Sequence, residues 1–518
     1  MGIFLCQKKT QTMKRFIIIA SLLAFFTDLS QAQDEIDAIR YGFQSYSGTA
    51  RGMGIGAALG SIGGDFSTLS VNPAGLGIYR SSEFSISPSF QVASNRTEYT
   101  GVSSSGNSSK FNLGSFGLVL TRAKTGKAYR KSGWKAASFA FGMNRQATYK
   151  NEYEYGGKNN TSSLIERFAE EFNRLGGLNN TTLGQVSYPA FAAYQTYLIE
   201  RDMGTDSNLA FSYVPYTDGL MQYKSVVEKG HIQEYVISVG GNYMEKLMLG
   251  ATLGLQSLQY NRTMKYSEDD LSGKTDNEFK YFDFREDLET EGTGVNLKLG
   301  AILKPIQELR IGLAVHTPTH IEMNDASSIY LESHTDSLLL YNNPGASAIS
   351  QYQQDSLLIF NYSLTTPYRA LGSFAVVFNQ HGFLTADIEY VGYSSMKYNY
   401  KGFDQEENAV NQVIRNTYKN AVNVRVGAEL KLEELGIRAG FAYYGNPYQN
   451  NQVDASRKQI SGGLGYRSKF WFLDVTYVHS MQRLSEQPYR LSRASANIPV
   501  ATTENRVNQV LCTLGWKF

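Results

Sequence analysis

At 518 residues the chain has room for several ordinary domains or for one large sheet-built unit. It carries 49 Lys and Arg against 47 Asp and Glu, a formal net charge of +2, which excludes the basic surface that nucleic-acid binding demands. Tyrosine (35), phenylalanine (28) and glycine (48) are abundant and proline (11) is scarce, and the mean hydropathy is negative, which excludes a bundle of membrane-spanning helices.

From Met13 the chain has the parts of a secretory signal: basic Lys14 and Arg15, an apolar run from Phe16 to Phe26, then small residues at Ser30 and Ala32. The run is about eleven residues, short of the roughly twenty that a spanning helix needs. Residues 1–32 are therefore expected to be a signal peptide, with Met13 as a candidate true start. Cleavage removes Cys6 and leaves Cys512 alone, so no intrachain disulfide and no Cys-based metal site are expected. No later segment holds an apolar run of about eighteen residues. An exported chain of this kind can enter a membrane only as a closed β-barrel, because lipid offers no partner for an open strand edge.

Residues 33–80 include a glycine-dense stretch, Tyr46 to Arg80. Gly52-Met53-Gly54-Ile55-Gly56-Ala57 fits the G-x-G-x-x-A form of a dinucleotide-binding fingerprint, but no strand–glycine–helix context follows, and Pro73 breaks any long helix. Glycine also permits close backbone approach and positive φ. A compact plug inside a barrel needs both.

Strand patterning dominates the rest. In Arg506–Phe518, Val510, Cys512, Leu514, Trp516 and Phe518 share one face, with Gln509, Thr513 and Lys517 on the other. Ala421–Leu432, Phe383–Tyr390 and Trp471–Val478 repeat the alternation. About fourteen strands are expected, starting near Glu83, Lys110, Trp134, His231, Lys246, Tyr281, Gln307, Pro367, Gly382, Ala421, Leu435, Ser456, Phe470 and Arg506. Tight turns fall near Glu245, Pro305, Gln380, Glu434 and Ser468. Long loops are expected at 151–230 and 325–366. Short turns on one side and long loops on the other describe an outer-membrane barrel over residues 81–518, with an even strand count, an apolar lipid face and a polar lumen. Trp516 and Phe518 read as the C-terminal signal for the barrel assembly machinery.

Within the longest loop, Leu164, Ile165, Phe168, Phe172 and Leu175 recur at helical spacing. This is either a helix that caps its own loop or, through Phe168 and Phe172, an external groove for a lipophilic ligand. His316 and His320 are expected on one strand facing the lumen, about 13 Å apart, too far to share a metal, so no metal site is expected. Asp387, Glu389, Arg425, Glu429, Lys431, Arg438 and Asp474 are expected in the lumen as a charge network bracing barrel and plug. Arg425 and Arg438 are the candidates for holding a ligand carboxylate. No G-x-S-x-G elbow or nucleophile–base pair occurs, so neither an enzyme nor a cofactor is expected.

A glycine-rich N-terminal segment ending in Asn72-Pro73-Ala74, followed by about fourteen strands and a terminal aromatic, resembles the FadL family of outer-membrane transporters for long-chain fatty acids and other hydrophobic compounds. Leu313 to Met323 resembles a mid-barrel passage of that family. The resemblance implies a hatch in the lumen, gated through Asn72, Pro73, Ala74, Gly52, Gly54 and Gly56. It also implies a lipophilic small-molecule ligand, capture on extracellular loops and release sideways into the outer membrane. A FadL-like barrel also occurs in type IX secretion, so a secreted protein partner is the alternative.

Overall fold

The computed structural model describes residues 34–44, 46–201, 208–340, 343–354, 357–450, 453–492 and 497–518. The expected signal peptide lies outside them. The strands run β1 (Glu83–Tyr99), β2 (Val102–Ala123), β3 (Trp134–Asn159), β4 (Ile199–Arg201), β5 (Ala210–Ser212), β6 (Leu220–Tyr243), β7 (Leu247–Asp270), β8 (Tyr281–Leu303), β9 (Leu309–His316), β10 (His320–Leu340), β11 (Asn343–Gln353), β12 (Leu358–Thr365), β13 (Arg369–Val377), β14 (Gly382–Val391), β15 (Lys397–Asn399), β16 (Ala421–Leu432), β17 (Leu435–Tyr444), β18 (Arg457–Arg467), β19 (Trp471–Glu486) and β20 (Ala501–Lys517).

A closed antiparallel barrel of 14 strands is built from these. The ring runs β1, β2, β3, β6, β7, β8, β9, β13, β14, β16, β17, β18, β19, β20 and back to β1. The C-terminus closes it: Ser82 and Phe518 exchange backbone hydrogen bonds at 3.1 Å, and Phe84 stacks on Trp516. Both Trp516 and Phe518 lie exposed on the outer wall.

Register assigns every side chain to a face. On β6 the outward, exposed residues from Tyr243 to Tyr235 are Tyr243, Val239, Ile237 and Tyr235. That span is about 26 Å at 3.3 Å per residue, the height of a barrel's lipid band, with an aromatic at each edge. Leu249, Leu253 and Leu255 on β7, and Leu303, Leu299, Leu297 and Val295 on β8, continue the band. Beyond Tyr235 the outward residues turn polar: Gln233, His231, Lys229.

The strands are much longer than the band. β6 has 24 residues, about 80 Å of strand, so most of the surplus projects on one side. Much of what reads as loop in the sequence is therefore strand. β3 continues to Asn159, β6 begins at Leu220, and 325–366 is largely β10, β11 and β12. Above the band no lipid demands an apolar face, so alternation fades from the sequence while pairing continues.

Three staves are broken at one level. β9 passes to β10 across Thr317-Pro318-Thr319, β12 to β13 across Thr366-Pro367-Tyr368, and β14 to β15 across 392–396. Each proline lacks the N–H a ladder uses, so pairing restarts beyond it. Above the breaks β10 takes over pairing with β8, and β12 with β10. The interruption also shifts side-chain parity. His316 is buried and faces the lumen, where Nε2 sits 2.9 Å from the Val71 carbonyl, whereas His320 is exposed outside beside Glu322. The expectation that both face the lumen is corrected by Pro318.

Candidate functional site

Residues 34–80 fold inside the ring as short helices, Glu35–Gly42 and Ala50–Gly54, followed by 3-10 turns at Phe66–Ser70 and Pro73–Ile78. The glycines there meet glycines in the wall. A Cβ on Gly440 of β17 would fall 2.1 Å from the Gly56 nitrogen, and one on Gly427 of β16 would fall 2.4 Å from the Ile55 carbonyl oxygen. Gly250 on β7 makes room for the Pro73 carbonyl, Gly300 on β8 for the Asn72 side chain, and Gly312 on β9 for the Gly60 carbonyl. Gly56 itself has φ +65°, a conformation that glycine adopts freely. Gly54 packs on Thr476, and Gly52 on Leu59. The glycine-dense stretch is thus a backbone-to-wall packing surface.

Asn72 caps the Pro73–Ile78 turn. Its Oδ1 accepts from the Ala74 N–H at 3.1 Å, and its Nδ2 donates to the carbonyls of Gly60 (2.6 Å) and Ala301 on β8 (3.2 Å). Pro73 stands where the missing N–H costs nothing, and Ala74 is fully buried against Met248 and Ile302.

Charges brace the same segment. Arg51 donates to Glu429 (2.9 Å), Arg438 to Glu429 (2.7 Å) and to Asp474 (2.6 Å), and Gly60 N–H to Asp387 (3.1 Å). Tyr46 donates to Glu389 (2.9 Å) and lies under the Arg425 guanidinium. Arg425 itself lies 3.6 Å from Asp387 and 3.8 Å from Glu389. Arg438 is buried and held by Glu429 and Asp474, whereas Arg425 is buried with its guanidinium in ion-pair range of Asp387 and Glu389 but with its three nitrogens hydrogen-bonded to no protein group. Lys431 is half exposed beside Glu429.

One part of the wall lacks a backbone ladder. β2 and β3 pair from Ala123↔Ala136 up to Ser115↔Asn144 and no further, although β1–β2 pairing continues to Tyr99↔Val102 and β3–β6 pairing to Asn159↔Leu220. Two inserted residues explain the split: Gly114, where the β1–β2 register shifts beside Pro88, and Gln146, where the β3–β6 register shifts. Each bulge bends its own strand, so the backbone ladder stops there; beyond it the two strands touch through Ser108 Oγ, which donates to the Lys150 carbonyl at 3.4 Å, and through Gly106 against the Glu152 carbonyl. The seam starts at the upper edge of the lipid band, where Met143 pairs with Tyr235 and Phe111 stands 71% exposed.

From inside, the hatch closes it. Ser47 forms an antiparallel bridge with Arg145, its N–H donating to the Arg145 carbonyl at 3.2 Å, and the Gly48 carbonyl lies against Gly114. A small cavity lined by Tyr46, Ser47, Gly48, Asn144 and Gln146 adjoins this contact. Ser47 Oγ, both amide atoms of Asn112, Ser115 Oγ, Asn144 Oδ1 and Gln146 Oε1 are buried without a hydrogen-bond partner in the protein. Unsatisfied polar groups make this contact weaker than the glycine-packed remainder of the hatch.

A packed cluster of tyrosines surrounds the first hatch helix. Tyr41, Tyr149 and Tyr260 meet edge to face at 5.2–6.4 Å, and Tyr362, Tyr398 and Tyr400 cluster with Phe360. Hydroxyls of Tyr149, Tyr398 and Tyr418 donate to the carbonyls of Arg40, Asp34 and Glu35, fastening the first hatch helix there.

Residues 160–201 and 208–219, between β3 and β6, pack on the ends of β7, β8 and β10. Their helix Leu164–Arg174 starts with a capping box of Ser163 and Glu166. Phe168 and Phe172 are buried in a core with Phe282, Phe284, Ile329 and Leu331 from β8 and β10. The open groove entertained for these phenylalanines is a packed core, and the helix caps its own loop. Glu268 of β7 pins the helix start: it accepts from Ser163 Oγ (2.5 Å), the Leu164 N–H (3.0 Å), Gln222 (2.9 Å) and Tyr266 (2.8 Å). It stands about 40 Å along the strand beyond Leu255, clear of the lipid band. Burial pushes its carboxyl up to about 7 against the opposing pull of those donors. A raised acid holds its proton in the docked state, so docking is strongest at low pH and is lost as pH rises through about 7. Protection factors across 160–175, taken relative to the intrinsic exchange rate at each pH, are expected to be larger at pH 5 than at pH 8, and Glu268→Gln is expected to remove that difference. An unchanged pH dependence in the variant would assign it elsewhere.

The seam, Tyr46, Ser47 and Arg51 escape the sequence reading. Alternation is a property of single strands, and a failure of pairing between two strands leaves no trace in either one, apart from the breaker residues Pro88 and Gly114.

The family model for outer membrane protein transport proteins (OMPP1/FadL/TodX) matches residues 240–505, just over half the chain. No curated protein sequence matches it. A FadL homologue from Pseudomonas aeruginosa has a similar fold, with TM-score 0.53 at 14% identity over 91% of this chain and 99% of that one. The Pseudomonas putida toluene transporter TodX gives TM-score 0.51 at 11% identity over 92% of this chain and 100% of that one. With its closed barrel of 14 strands and this match, the chain belongs to the OMPP1/FadL/TodX family of outer-membrane transport proteins.

Proposed function

We propose that this protein takes up hydrophobic small molecules, fatty-acid-like or aromatic, across the outer membrane, and that its hatch gates a sideways exit through the β2–β3 seam. The observation that supports the reading is the break in the β2–β3 ladder at the upper edge of the lipid band, covered from within by Ser47, Gly48 and Ser70 of the hatch. An apolar molecule passing down a watery pore would be re-exposed at about 0.8 kcal/mol per CH₂. Exit into lipid avoids that cost and needs no nucleotide.

The test is uptake of a labelled long-chain fatty acid and a labelled monoaromatic hydrocarbon by cells making the protein, against cells without it. Uptake above background supports the reading and chooses between the two classes. Asn72→Ala removes the cap and the bonds to Gly60 and Ala301, which weakens hatch docking by about 1–3 kcal/mol. It is expected to change uptake several-fold while the heat-modifiable gel mobility of a folded barrel persists. Loss of that mobility would mean that Asn72 holds the barrel rather than the gate. The secreted-protein reading draws no support from the family or structural matches.

A further inference from the structure

The outer wall just above the lipid band is unevenly charged. On β8 and β10 the outward residues there are Thr293, Glu291, Glu289 and Glu322, an acidic face. On the seam side the charge is reversed. Lys229 of β6 and Lys150 of β3 are direct cross-strand partners, and His231 pairs with Thr148 two residues nearer the membrane. Like charges placed opposite each other repel. The Lys110 ammonium is brought in beside them from β2, donating to the Gly230 carbonyl at 3.2 Å. Arg145 lies in the seam itself, with Nε donating to the Leu113 carbonyl at 3.0 Å and Nη1 buried without an acceptor. Lys110 lies within coulombic reach of Arg145 and Lys150, and His231 within reach of Arg145 and Lys110. The carboxylate paired with this group is Glu152, 3.9 Å from Lys150 and half exposed.

Four permanent cations and one weakly engaged acid make a site short of negative charge. A strand wall gains nothing by crowding lysines in this way unless an anion joins them. We propose that Lys110, Arg145, Lys150 and Lys229 form a binding site for the phosphate of an outer-leaflet lipid, seated at the mouth of the β2–β3 seam. The height favours a lipid over free phosphate. His231 lies four residues beyond Tyr235, the upper edge of the apolar band on β6; Phe111 of β2 is 71% exposed on the lipid face, and Lys110, which leaves the strand on the other face, brings its ammonium to the Gly230 carbonyl at the edge of the seam. Acyl chains can lie along Phe111 and Tyr235 while the phosphate accepts charge-assisted hydrogen bonds from the cations. The site does not depend on the hatch opening. It would put a bound lipid beside the exit and make the seam a two-sided contact, with hatch within and lipid without.

Native mass spectrometry of the folded, purified protein tests this with three probes: bis-phosphorylated lipid A, its dephosphorylated form and inorganic phosphate. The parent is expected to retain phosphorylated lipid A and to lose it with the dephosphorylated probe. Lys110→Glu/Lys229→Glu is expected to lower retention on the order of tenfold or more, with heat-modifiable mobility kept. A charge reversal on another outward face, Lys265→Glu, is expected to leave it unchanged. Equal retention by the parent and the double variant overturns the site. Displacement of lipid A by equimolar inorganic phosphate overturns the lipid as its occupant.

Discussion

Oxidation of a Ser47→Cys/Arg145→Cys pair is expected to abolish uptake, and reduction to restore it. The two residues face each other in an antiparallel bridge, a geometry whose Cα separation of about 4.5–5.5 Å falls within disulfide range. The tether would fix the hatch to β3 at the seam while leaving the glycine contacts and the Arg51–Glu429 bridge untouched, so the barrel and most of the hatch keep their packing. The reduced variant is the proper reference, because Arg145→Cys alone also removes a cation from the seam. Uptake that survives full oxidation would mean that the ligand leaves by another route, and the gating proposal would fall while the family assignment stood. Partial loss that scales with the oxidised fraction would give the strongest support, since one population would then be shut and the other open.

How far the sequence could be read follows from what each signal depends on. The parity of Val510 to Phe518, of Val422 to Leu430 and of Leu384 to Tyr390 is set by local alternation, and the structure has these residues facing outward within the lipid band. Strand starts at Glu83, Trp134, Tyr281, Gly382, Ala421 and Leu435 coincide with those observed. Those at Lys110 and His231 fall eight and eleven residues inside β2 and β6, because both strands extend past the lipid, where nothing selects an apolar face. His320 was misassigned because Pro318 interrupts its strand and changes the parity beyond it. Pro318 and Pro367 were legible as strand breakers, but only pairing shows that they stand side by side. Phe168 and Phe172 were legible as an apolar helix face; the partners that bury them come from β8 and β10, more than a hundred residues away. Arg425 and Arg438 were legible as lumen charges, while their pairing with Asp387, Glu389, Glu429 and Asp474 depends on register across four strands.

Gly440→Val is expected to unseat the hatch and leave the barrel standing. The added Cβ would sit 2.1 Å from the Gly56 nitrogen and 2.4 Å from the Ile55 carbonyl carbon. Both are backbone atoms, so no side-chain rotation relieves the clash. Overpacking of a rigid contact costs about 1–3 kcal/mol and sometimes more, roughly ten- to a hundredfold in the docking equilibrium. Inside the wall, β17 keeps its ladders to β16 and β18, which do not use the Gly440 side-chain position. The expected readings are raised conductance in planar bilayers and protease cleavage near Gly52–Gly56 with unchanged heat-modifiable mobility. Gly372→Ala, where an added Cβ meets nothing within 4 Å, is the matched control and is expected to behave as the parent. Parent-like conductance in Gly440→Val would show that the hatch shifts to accommodate the side chain, so that the reciprocal glycine contact is not what holds it. Conductance raised without any change in fatty-acid or hydrocarbon uptake would separate plugging from gating: the hatch would then block water and ions while the ligand's route ran past it.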